Sequence, residues 1–191
     1  MRLLGVQTGR VAPLLATMAD GEVVAVPSAI VKRAVNGPVS VGRLGVDGDE
    51  QADLTVHGGI EKAVYAYPSE HYAFWRELAG RPDLPFGALG ENLTVSGLLE
   101  ADLWIGDVLS IGTCEFTVTR PRQPCPKLNR HLGFRTASKE MLQHGATGWY
   151  LEVTEPGRLE AGQAVSLTPG PRRITLAERL RQIRRDDPVQ S

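Results

Sequence analysis

The sequence is poor in cysteine and has no long apolar run. Cysteine occurs twice in 191 residues, at Cys114 and Cys125, which excludes a secreted disulfide scaffold and a structural zinc site built from four cysteines. The apolar run at residues 11–19 is short and contains Pro13, and no stretch approaches the roughly 20 apolar residues of a membrane span. We therefore expect a cytoplasmic protein with reduced thiols, without a signal peptide or a membrane segment.

Neither sign of charge dominates, and several well-known catalytic motifs are missing. The chain carries 21 basic and 22 acidic side chains, so it has no general electrostatic reason to bind nucleic acid or an anionic membrane. It contains no G-x-x-x-x-G-K-[ST], no G-x-G-x-x-G after a strand, and no H-E-x-x-H, C-x-x-C or G-x-S-x-G. These absences argue against the enzyme classes that the motifs define.

Glycine and proline are abundant, at 21 and 13 residues, which favours turns and short strands over long helices. A turn signal at residues 20–21 predicts a hairpin or a tight turn between the apolar runs on either side of it. A turn at residues 112–113 predicts another hairpin, in which Cys114, Phe116 and Val118 share one face of the second strand. This alternation indicates that Cys114 is a core residue. We predict a mainly β fold with peripheral helices.

Three peripheral helices are predicted from capping residues and apolar spacing. The first has Ser69 at its N-cap and Gly80 just beyond its end. The second spans residues 138–144 and stops at the following glycine. The third lies in the arginine-rich segment 171–191, which we interpret as a short basic helix or tail that follows a single domain over residues 1–170.

The segment with the strongest chemical signal surrounds Cys125. Arg120, Arg122 and Lys127 are close to it in sequence, and nearby cations favour the thiolate, which is a nucleophile and a soft-metal ligand. Three prolines within residues 121–126 are expected to prevent regular structure there and to hold the cysteine in a stiff loop. The alternative is an inert, buried cysteine. The charged and proline-rich surroundings favour the functional interpretation.

A second polar segment begins at Asp49. The acidic residues around Asp49 do not have the spacing of a calcium-binding loop. Gly58 and Gly59 permit close approach of the backbone to a ligand, or simply a turn. His57 before them is a candidate proton donor, ligand or structural residue, and Lys62 is positioned to contact a phosphate or to pair with a neighbouring carboxylate. The spacing leaves these alternatives open.

A third polar segment is the glycine-containing loop at residues 87–94. It delivers Glu91 and Asn92 at the entrance of a predicted strand. Such a loop is suited to hydrogen bonding with a polar heterocycle, because loops held by a rigid scaffold often carry binding residues. An ordinary β-turn uses the same residue types. Both interpretations stay open for this segment.

Together these segments resemble the MOSC domain, the module at the C-terminus of molybdenum cofactor sulfurases, and most closely its stand-alone bacterial YiiM-type members. The Pro-Arg-x-Pro-Cys-x-Lys-Leu segment is specific, whereas His-Gly-Gly and Gly-Glu-Asn carry weight in combination. The matching stretches keep the same order over residues 25–170. They are residues 27–30, 48–53, 56–59, 67–75, 90–93, 106–107, 121–129 and 148–149.

The resemblance implies a MOSC-type β-barrel with peripheral helices and a pterin-based molybdenum cofactor whose metal binds Cys125. It also implies reduction of N-hydroxylated compounds such as 6-hydroxylaminopurine, with electrons from a separate flavoprotein reductase. The proton for this reaction would come from Asp49, His57 or Glu91. Further contacts to the cofactor are assigned to Arg120, Arg122, Lys127, Asn92, Gly58, Gly59 and Lys62.

Two other interpretations of Cys125 stay open at this point. The protein could be a non-catalytic module that binds the cofactor or carries sulfur, with Cys125 as a persulfide or docking thiol. It could also be a cysteine hydrolase in which Cys125 pairs with His57 or His131. Bound molybdenum without turnover would favour the carrier, whereas metal-independent activity that is sensitive to thiol alkylation would favour the hydrolase.

Overall fold

The computed structural model describes residues 1–17, 21–53 and 58–186, and short strands dominate it. The strands are β1 (Arg2–Thr8), β2 (Ala12–Thr17), β3 (Val23–Ser28), β4 (Arg33–Ala34), β5 (Val39–Gly42), β6 (Gly45–Val46), β7 (Val64–Pro68), β8 (Leu93–Ser96), β9 (Val108–Ile111), β10 (Cys114–Pro121), β11 (Trp149–Glu155), β12 (Gly157–Leu159) and β13 (Val165–Thr168). The α-helices are α1 (Tyr72–Leu78), α2 (Pro126–Leu132), α3 (Ala137–His144) and α4 (Leu176–Asp186). Two 3₁₀ turns lie at Ile60–Lys62 and Ser69–His71.

Eight strands form one mixed sheet in the order β13-β9-β10-β11-β7-β8-β1-β4. Neighbours are antiparallel except β7 and β8, which run parallel because the connection through α1 returns the chain to the same end of the sheet. An isolated bridge between Arg2 and Ala164 also brings β1 against the chain just before β13. Within the described residues this bridge does not extend into a ladder. The fold is therefore mainly β with few helices, as predicted, but it is a large mixed sheet rather than the closed barrel that the resemblance implied.

Both predicted hairpins are present. β2 pairs antiparallel with β3, and β9 pairs antiparallel with β10. On β10 the side chains of Cys114, Phe116 and Val118 are at most 1% exposed and belong to the main core of the sheet. This confirms that Cys114 is a core residue. Burial raises the pKa of its thiol to about 11, so Cys114 stays protonated and unreactive at neutral pH.

The first predicted helix is present, but its N-terminal cap is not the predicted one. A 3₁₀ turn at Ser69–His71 precedes α1, so His71 occupies the N-cap position of α1. The Ser69 hydroxyl donates to the neighbouring Glu70 carboxylate and makes no capping hydrogen bond. The prediction of Ser69 as the cap was therefore wrong, because the chain tightens into a 3₁₀ turn directly after Pro68. Gly80 has a φ of 60° and ends the helix region as expected.

The expectation of irregular structure around Cys125 was correct only on its N-terminal side. Cys125 is the N-cap residue of α2, and Pro126 occupies the first position of that helix. Proline is tolerated there because the amide hydrogen that it lacks would have no partner within the helix. β10 also continues through Pro121, so the irregular connection is limited to residues 122–125. Cys125 is thus held between a strand end and a helix start.

The arginine-rich segment forms α4, which packs against the rest of the fold. Leu176 and Leu180 are buried, with 0% and 4% exposure, and Leu176 belongs to the main core. The backbone just before the helix adds a bridge between Trp104 and Thr175. The proposed end of the domain at residue 170 remains a prediction. None of the helices in the described part of the chain is long and apolar enough to cross a membrane.

Candidate functional site

One cleft collects most of the residues that the sequence singles out. It encloses about 650 Å³ of space, counting the mouth that is open to solvent. The connections after β3 and β6, the start of β8, and the link between β10 and α2 all contribute to its wall. Of the predicted site residues, the wall contains Asp49, Gly58, Lys62, Asn92, Arg122, Cys125 and Lys127. The fold therefore brings together three segments that lie far apart in the sequence.

Cys125 lies on the wall of this cleft and is partly exposed. Its position at the junction between β10 and α2 fixes the backbone on both sides. Arg122 and Tyr150 lie close enough to interact electrostatically with the thiol. The two cysteines of the chain thus differ sharply in environment. Cys114 is enclosed in the core, whereas Cys125 faces open space beside a cation.

Arg122 is a buried cation directly behind the cleft surface, with 5% exposure. Its guanidinium lies over the ring of Tyr65, with 4.7 Å between Cζ and the ring centroid. It also donates to the carbonyl oxygen of Leu89 at 3.2 Å. Within the described residues, no carboxylate forms a salt bridge with Arg122. An arginine keeps its charge at any physiological pH, so this side chain gives the wall a permanent positive charge.

Asp49 forms a buried network with Lys32 and Asn92. The side chains of Lys32 and Asp49 are 7% and 4% exposed, and Lys32 Nζ lies 2.5 Å from Asp49 Oδ1. Asn92 Nδ2 donates to Asp49 Oδ2 at 2.8 Å, and the amide of Gly9 donates to Oδ1 at 2.7 Å. Asn92 Oδ1 in turn accepts from the Tyr65 amide at 3.1 Å. Asn92 therefore ties Asp49 to β7, and the prediction that it contacts a ligand stays a prediction.

Two lysines and a glycine also line the wall. The lysines are basic, and the glycine lets the backbone lie close to its neighbours. Lys127 on α2 donates to the carbonyl oxygen of Pro27 at 3.0 Å, and Lys62 lies on the 3₁₀ turn beside the cleft. Gly58 has a φ of 78°, and a Cβ there would meet the side chain of Gln51 at about 3.0 Å. Glycine is favoured at this position because its backbone lies in the left-handed region, and a larger residue would also crowd the Gln51 side chain.

Glu91 does not line the cleft, although it was predicted as a proton donor. It is fully buried and accepts hydrogen bonds from the Gly87 amide at 2.7 Å, from Thr94 Oγ1 at 2.9 Å and from the Tyr72 hydroxyl. A carboxylate so completely surrounded by donors holds the loop that precedes β8. The structure therefore gives Glu91 a structural role beneath the loop rather than a place beside the substrate.

Arg120, Gly59 and the candidate histidines also differ from the expectation. Arg120 lies on the outer surface of β10, 44% exposed and paired with Glu61 at 2.5 Å, and is absent from the cleft wall. The strand register shifts between Val118 and Arg120, so Arg120 does not continue the buried face of Val118. Gly59 is exposed and precedes the 3₁₀ turn, also off the wall. His131 on α2 does not line the cleft either, which removes support for pairing it with Cys125. His57 lies outside the described residues.

Three further wall residues were not predicted from the sequence. Lys32 follows an apolar run and resembles an ordinary surface lysine, whereas Tyr65 and Tyr150 alternate like core residues of strands. In the structure Tyr65 lies on β7 and Tyr150 on β11, with ring centroids 5.5 Å apart on the cleft wall. Burial raises the pKa of both tyrosines, so both hydroxyl groups stay protonated at neutral pH. They provide an aromatic surface beside the cations.

This arrangement can hold an anionic ligand that brings a metal with it. Arg122 and Lys127 give the wall positive charge, while the charge of Lys32 is offset by Asp49. In the described ranges, no group of three or more His, Cys, Asp or Glu side chains is placed to hold a metal ion. A metal bound through the Cys125 sulfur would therefore need further ligands from a cofactor. An anionic, metal-carrying cofactor that accepts a soft thiolate ligand fits these residues.

The sequence from residue 53 to residue 166, more than half of the chain, matches the MOSC domain. This chain belongs to the MOSC domain family. The family segment includes β7 to β11 and α2, and so contains Tyr65, Asn92, Arg122 and Cys125 of the cleft wall. MOSC domains are in general associated with binding of the molybdenum cofactor. The identification of this family from the sequence is confirmed.

Three relatives match this MOSC protein closely. The chain is 44% identical to the uncharacterized protein YflK of Bacillus subtilis over 74% of its length, and 38% identical to the protein YiiM of Escherichia coli over 80%. It spans less than two thirds of YflK, at 64%, and 69% of YiiM. It is 38% identical to a protein named Reductase from Gibberella moniliformis, over 76% of this chain and 26% of that protein.

A solved structure supports the assignment at the level of the fold. The crystal structure of YiiM from Geobacillus stearothermophilus superposes with a TM-score of 0.77 at 31% identity. The superposition covers 97% of this chain and 84% of that one. The shared fold therefore extends well beyond the segment 53–166 and includes the N-terminal strands that supply Lys32 and Asp49 to the cleft.

Proposed function

We propose that this MOSC protein is a molybdenum-cofactor-dependent reductase of N-hydroxylated compounds, with 6-hydroxylaminopurine as the representative substrate. The observation that carries the proposal is the placement of Cys125, partly exposed on the wall of an open cleft and next to a buried arginine. A thiolate in that position is a suitable ligand for a soft metal, and the neighbouring cations suit the phosphate of a pterin cofactor. The match to a protein named Reductase supports the reaction class.

The protein's own residues would bind and orient rather than carry electrons. Reduction of R–NHOH to R–NH₂ consumes two electrons and two protons and releases one water molecule. The bound cofactor would supply the two-electron chemistry at the N–O bond. Arg122, Lys62 and Lys127 would hold its anionic groups, and Tyr65 and Tyr150 would form the surface against which a planar base lies.

The electrons would come from a separate flavoprotein reductase. The sequence has no recognisable motif for a flavin, a haem or an iron–sulfur cluster of its own. The matched segment is 26% of the fungal Reductase, so most of that protein lies outside the region shared with this chain. An electron source in another domain or another protein is consistent with both facts.

The two cysteines provide a matched test of cofactor binding. After purification from a bacterial host that makes the cofactor, Cys125→Ser should lose bound molybdenum, while its melting temperature stays close to that of the wild type. Serine is favoured at a helix N-cap, which is the position of Cys125, so the fold should tolerate this change. Cys114→Ser should keep its molybdenum but lose about 1–2 kcal/mol of stability, because a hydroxyl is buried in the core.

Metal analysis by mass spectrometry and thermal unfolding measure the two effects separately. Equal loss of molybdenum in both variants would show that Cys125 is not the ligand. Reduction of 6-hydroxylaminopurine with a chemical electron donor then tests catalysis in the wild type. Bound molybdenum without turnover would support a cofactor-binding or sulfur-carrier module instead. Hydrolytic activity that requires no metal and stops on alkylation of Cys125 would support a hydrolase.

A further inference from the structure

The hydrogen bonds of Asp49 bear on how the reaction would obtain its proton. Asp49 accepts three hydrogen bonds, from the Gly9 amide, the Asn92 amide and the Lys32 ammonium group. Hydrogen bonds and an adjacent cation both stabilise the charged form of a carboxylate. In every hydrogen bond that the structure gives Asp49, its carboxylate oxygens accept, so its neighbours use it as an acceptor rather than as a donor. Among the groups that the sequence proposed as proton donors, Glu91 is excluded, because it lies off the cleft wall.

Lys32 is the hydrogen-bond donor in its pair with Asp49. Its side chain is 7% exposed and still forms part of the cleft wall. In the described part of the chain, its only hydrogen-bond partner is Asp49, which leaves two of its three N–H bonds for a group in the cleft. A surface lysine would be solvated and mobile, whereas this one is fixed by a buried carboxylate that is itself fixed by Asn92 and Gly9.

We propose that Lys32 is the general acid of the reduction, donating a proton to the oxygen that leaves the substrate. The proposal rests on the proposed function and names a residue of the same site. In the balanced reaction, R–NHOH takes up two electrons from the flavoprotein reductase and two protons, the N–O bond breaks, and R–NH₂ and water form. Lys32 supplies one proton and becomes the neutral amine. Solvent at the cleft mouth supplies the second proton and restores the ammonium group.

The electrostatics of the pocket are consistent with this role. Burial lowers the pKa of Lys32, and Arg122 lowers it further, whereas Asp49 and Glu91 oppose the decrease. A lysine whose pKa is lowered toward the working pH transfers its proton more readily than an ordinary one. The charge of Asp49 and its hydrogen bond to Lys32 both favour the ammonium form of the lysine. The Lys32 ammonium group is thus fixed beside a carboxylate on the wall of the cleft.

The first test is a titration that needs neither cofactor nor turnover. The chain has four lysines, Lys32, Lys62, Lys127 and Lys139, so side-chain NMR of protein labelled with ¹³C-lysine resolves few signals. The signal that disappears in Lys32→Arg should titrate at lower pH than the signal of the exposed Lys139. Asp49→Asn should move it to still lower pH, because the carboxylate that favours the charged form is removed. Titration of Lys32 together with Lys139 would overturn the proposal.

The second test uses the molybdenum-loaded enzyme. Arginine keeps the positive charge of residue 32 but does not release a proton, so a structural or binding role would survive Lys32→Arg and an acid role would not. We expect kcat to fall on the order of 10²–10⁴-fold, with molybdenum content unchanged and KM little changed. In the wild type, kcat should fall at high pH, and this limb should be absent in the variant. Lys139→Arg, on the exposed face of α3, is the matched control and should behave like the wild type.

The outcomes separate this proposal from the proposed function. A wild-type protein with molybdenum but no reductase activity would end both proposals. Wild-type activity together with a fully active Lys32→Arg would end only the assignment of Lys32 as the acid. Loss of molybdenum in Lys32→Arg would also overturn it, since Lys32 would then serve to anchor the cofactor.

Discussion

At the scale of single residues, this site depends on buried charges that have different partners. Arg122 lies against an aromatic ring and a backbone carbonyl, whereas Lys32 lies against a carboxylate. Burying a charge is costly unless hydrogen bonds or an opposite charge compensate for it. Asn92, Gly9 and Tyr65 provide that compensation, so their identities are linked to the charges on the cleft wall.

His131 gives a residue-scale prediction about acid stability. Burial lowers its pKa below the usual value of about 6.5, and the nearby Arg81 and Arg122 lower it further, against a hydrogen bond with the Ala88 backbone. The unfolded chain therefore binds a proton more readily than the folded protein does. Stability should fall as the pH drops below about 6.5 toward the lower pKa of the folded state, and His131 should contribute no pH dependence above it.

Urea unfolding of the wild type and of His131→Gln, measured between pH 5 and pH 7.5, tests this prediction. The difference in unfolding free energy between the two proteins should change with pH in favour of the variant as the solution becomes more acidic. A difference that is constant over this range would contradict the direction assigned to the His131 pKa.

At the scale of elements, the ends of strands and helices position the site. β7 supplies Tyr65, the end of β10 leads to Arg122, and the start of α2 follows Cys125. Gly148, just before β11, donates its amide to Glu100 and accepts from the amide of Arg122. β11 then pairs with β7, so this glycine lies where two site-bearing strands meet.

Two glycines with similar backbone angles should respond differently to alanine. Gly148 has a φ of 62°, and a Cβ there would lie 2.8 Å from the ring of Tyr67 and against the Ala66 carbonyl oxygen. Gly133 has a φ of 82° at the end of α2, and a Cβ there would meet nothing within 4 Å. Gly133→Ala should cost about 1–2 kcal/mol from backbone strain alone, and Gly148→Ala should cost more because β7 and β11 must also separate.

Chemical denaturation of both variants measures this difference. If both variants lose the same stability, the strands around Gly148 accommodate the added methyl group at no extra cost, and the prediction is wrong. The molybdenum content of Gly148→Ala gives a second readout, because a shift of β7 and β11 moves Tyr65 and Tyr150 on the cleft wall.

At the scale of the whole molecule, isolated bridges connect parts of the chain that lie far apart in the sequence. The bridge between Arg2 and Ala164 joins the first strand to the chain before the last one, and the bridge between Trp104 and Thr175 fixes the approach to α4. β9 and β13, which begin with similar sequences after a glycine turn, are neighbours in the sheet. Distant parts of the chain therefore pack into the same core. A destabilising substitution near one end of the chain should lower the stability of the whole fold.

Leu176 tests whether α4 belongs to that core. Its side chain is 0% exposed within the main cluster, so Leu176→Ala should destabilise the protein by about 2–5 kcal/mol. Arg181→Ala, at an exposed position of the same helix, should change stability by less than about 0.5 kcal/mol. Calorimetry should show one transition that shifts as a unit. An unchanged main transition in Leu176→Ala would mean that α4 docks without supporting the sheet.

Local sequence patterns were sufficient to predict part of the fold and of the candidate site. Period-two alternation placed Cys114 in the core, and glycine turns located both hairpins, because each depends on residues close in sequence. Ser69 and the start of α2 were misjudged, since short-range capping signals do not reveal whether a 3₁₀ turn or a proline will begin the helix. Glu91 was assigned to catalysis because no local signal shows which side of a loop faces a cavity.

The sequence by itself determined the family and the contrast between the two cysteines, because both follow from residue types at fixed local spacing. Only the tertiary structure decided which residues share the cleft wall with the partly exposed Cys125. Lys32, Asp49 and Asn92 meet across separations of 17 and 43 residues, and Arg122 meets Tyr65 across 57. Such contacts depend on how strands pair over long distances, and this pairing sets which charges are buried and which partner each buried charge meets.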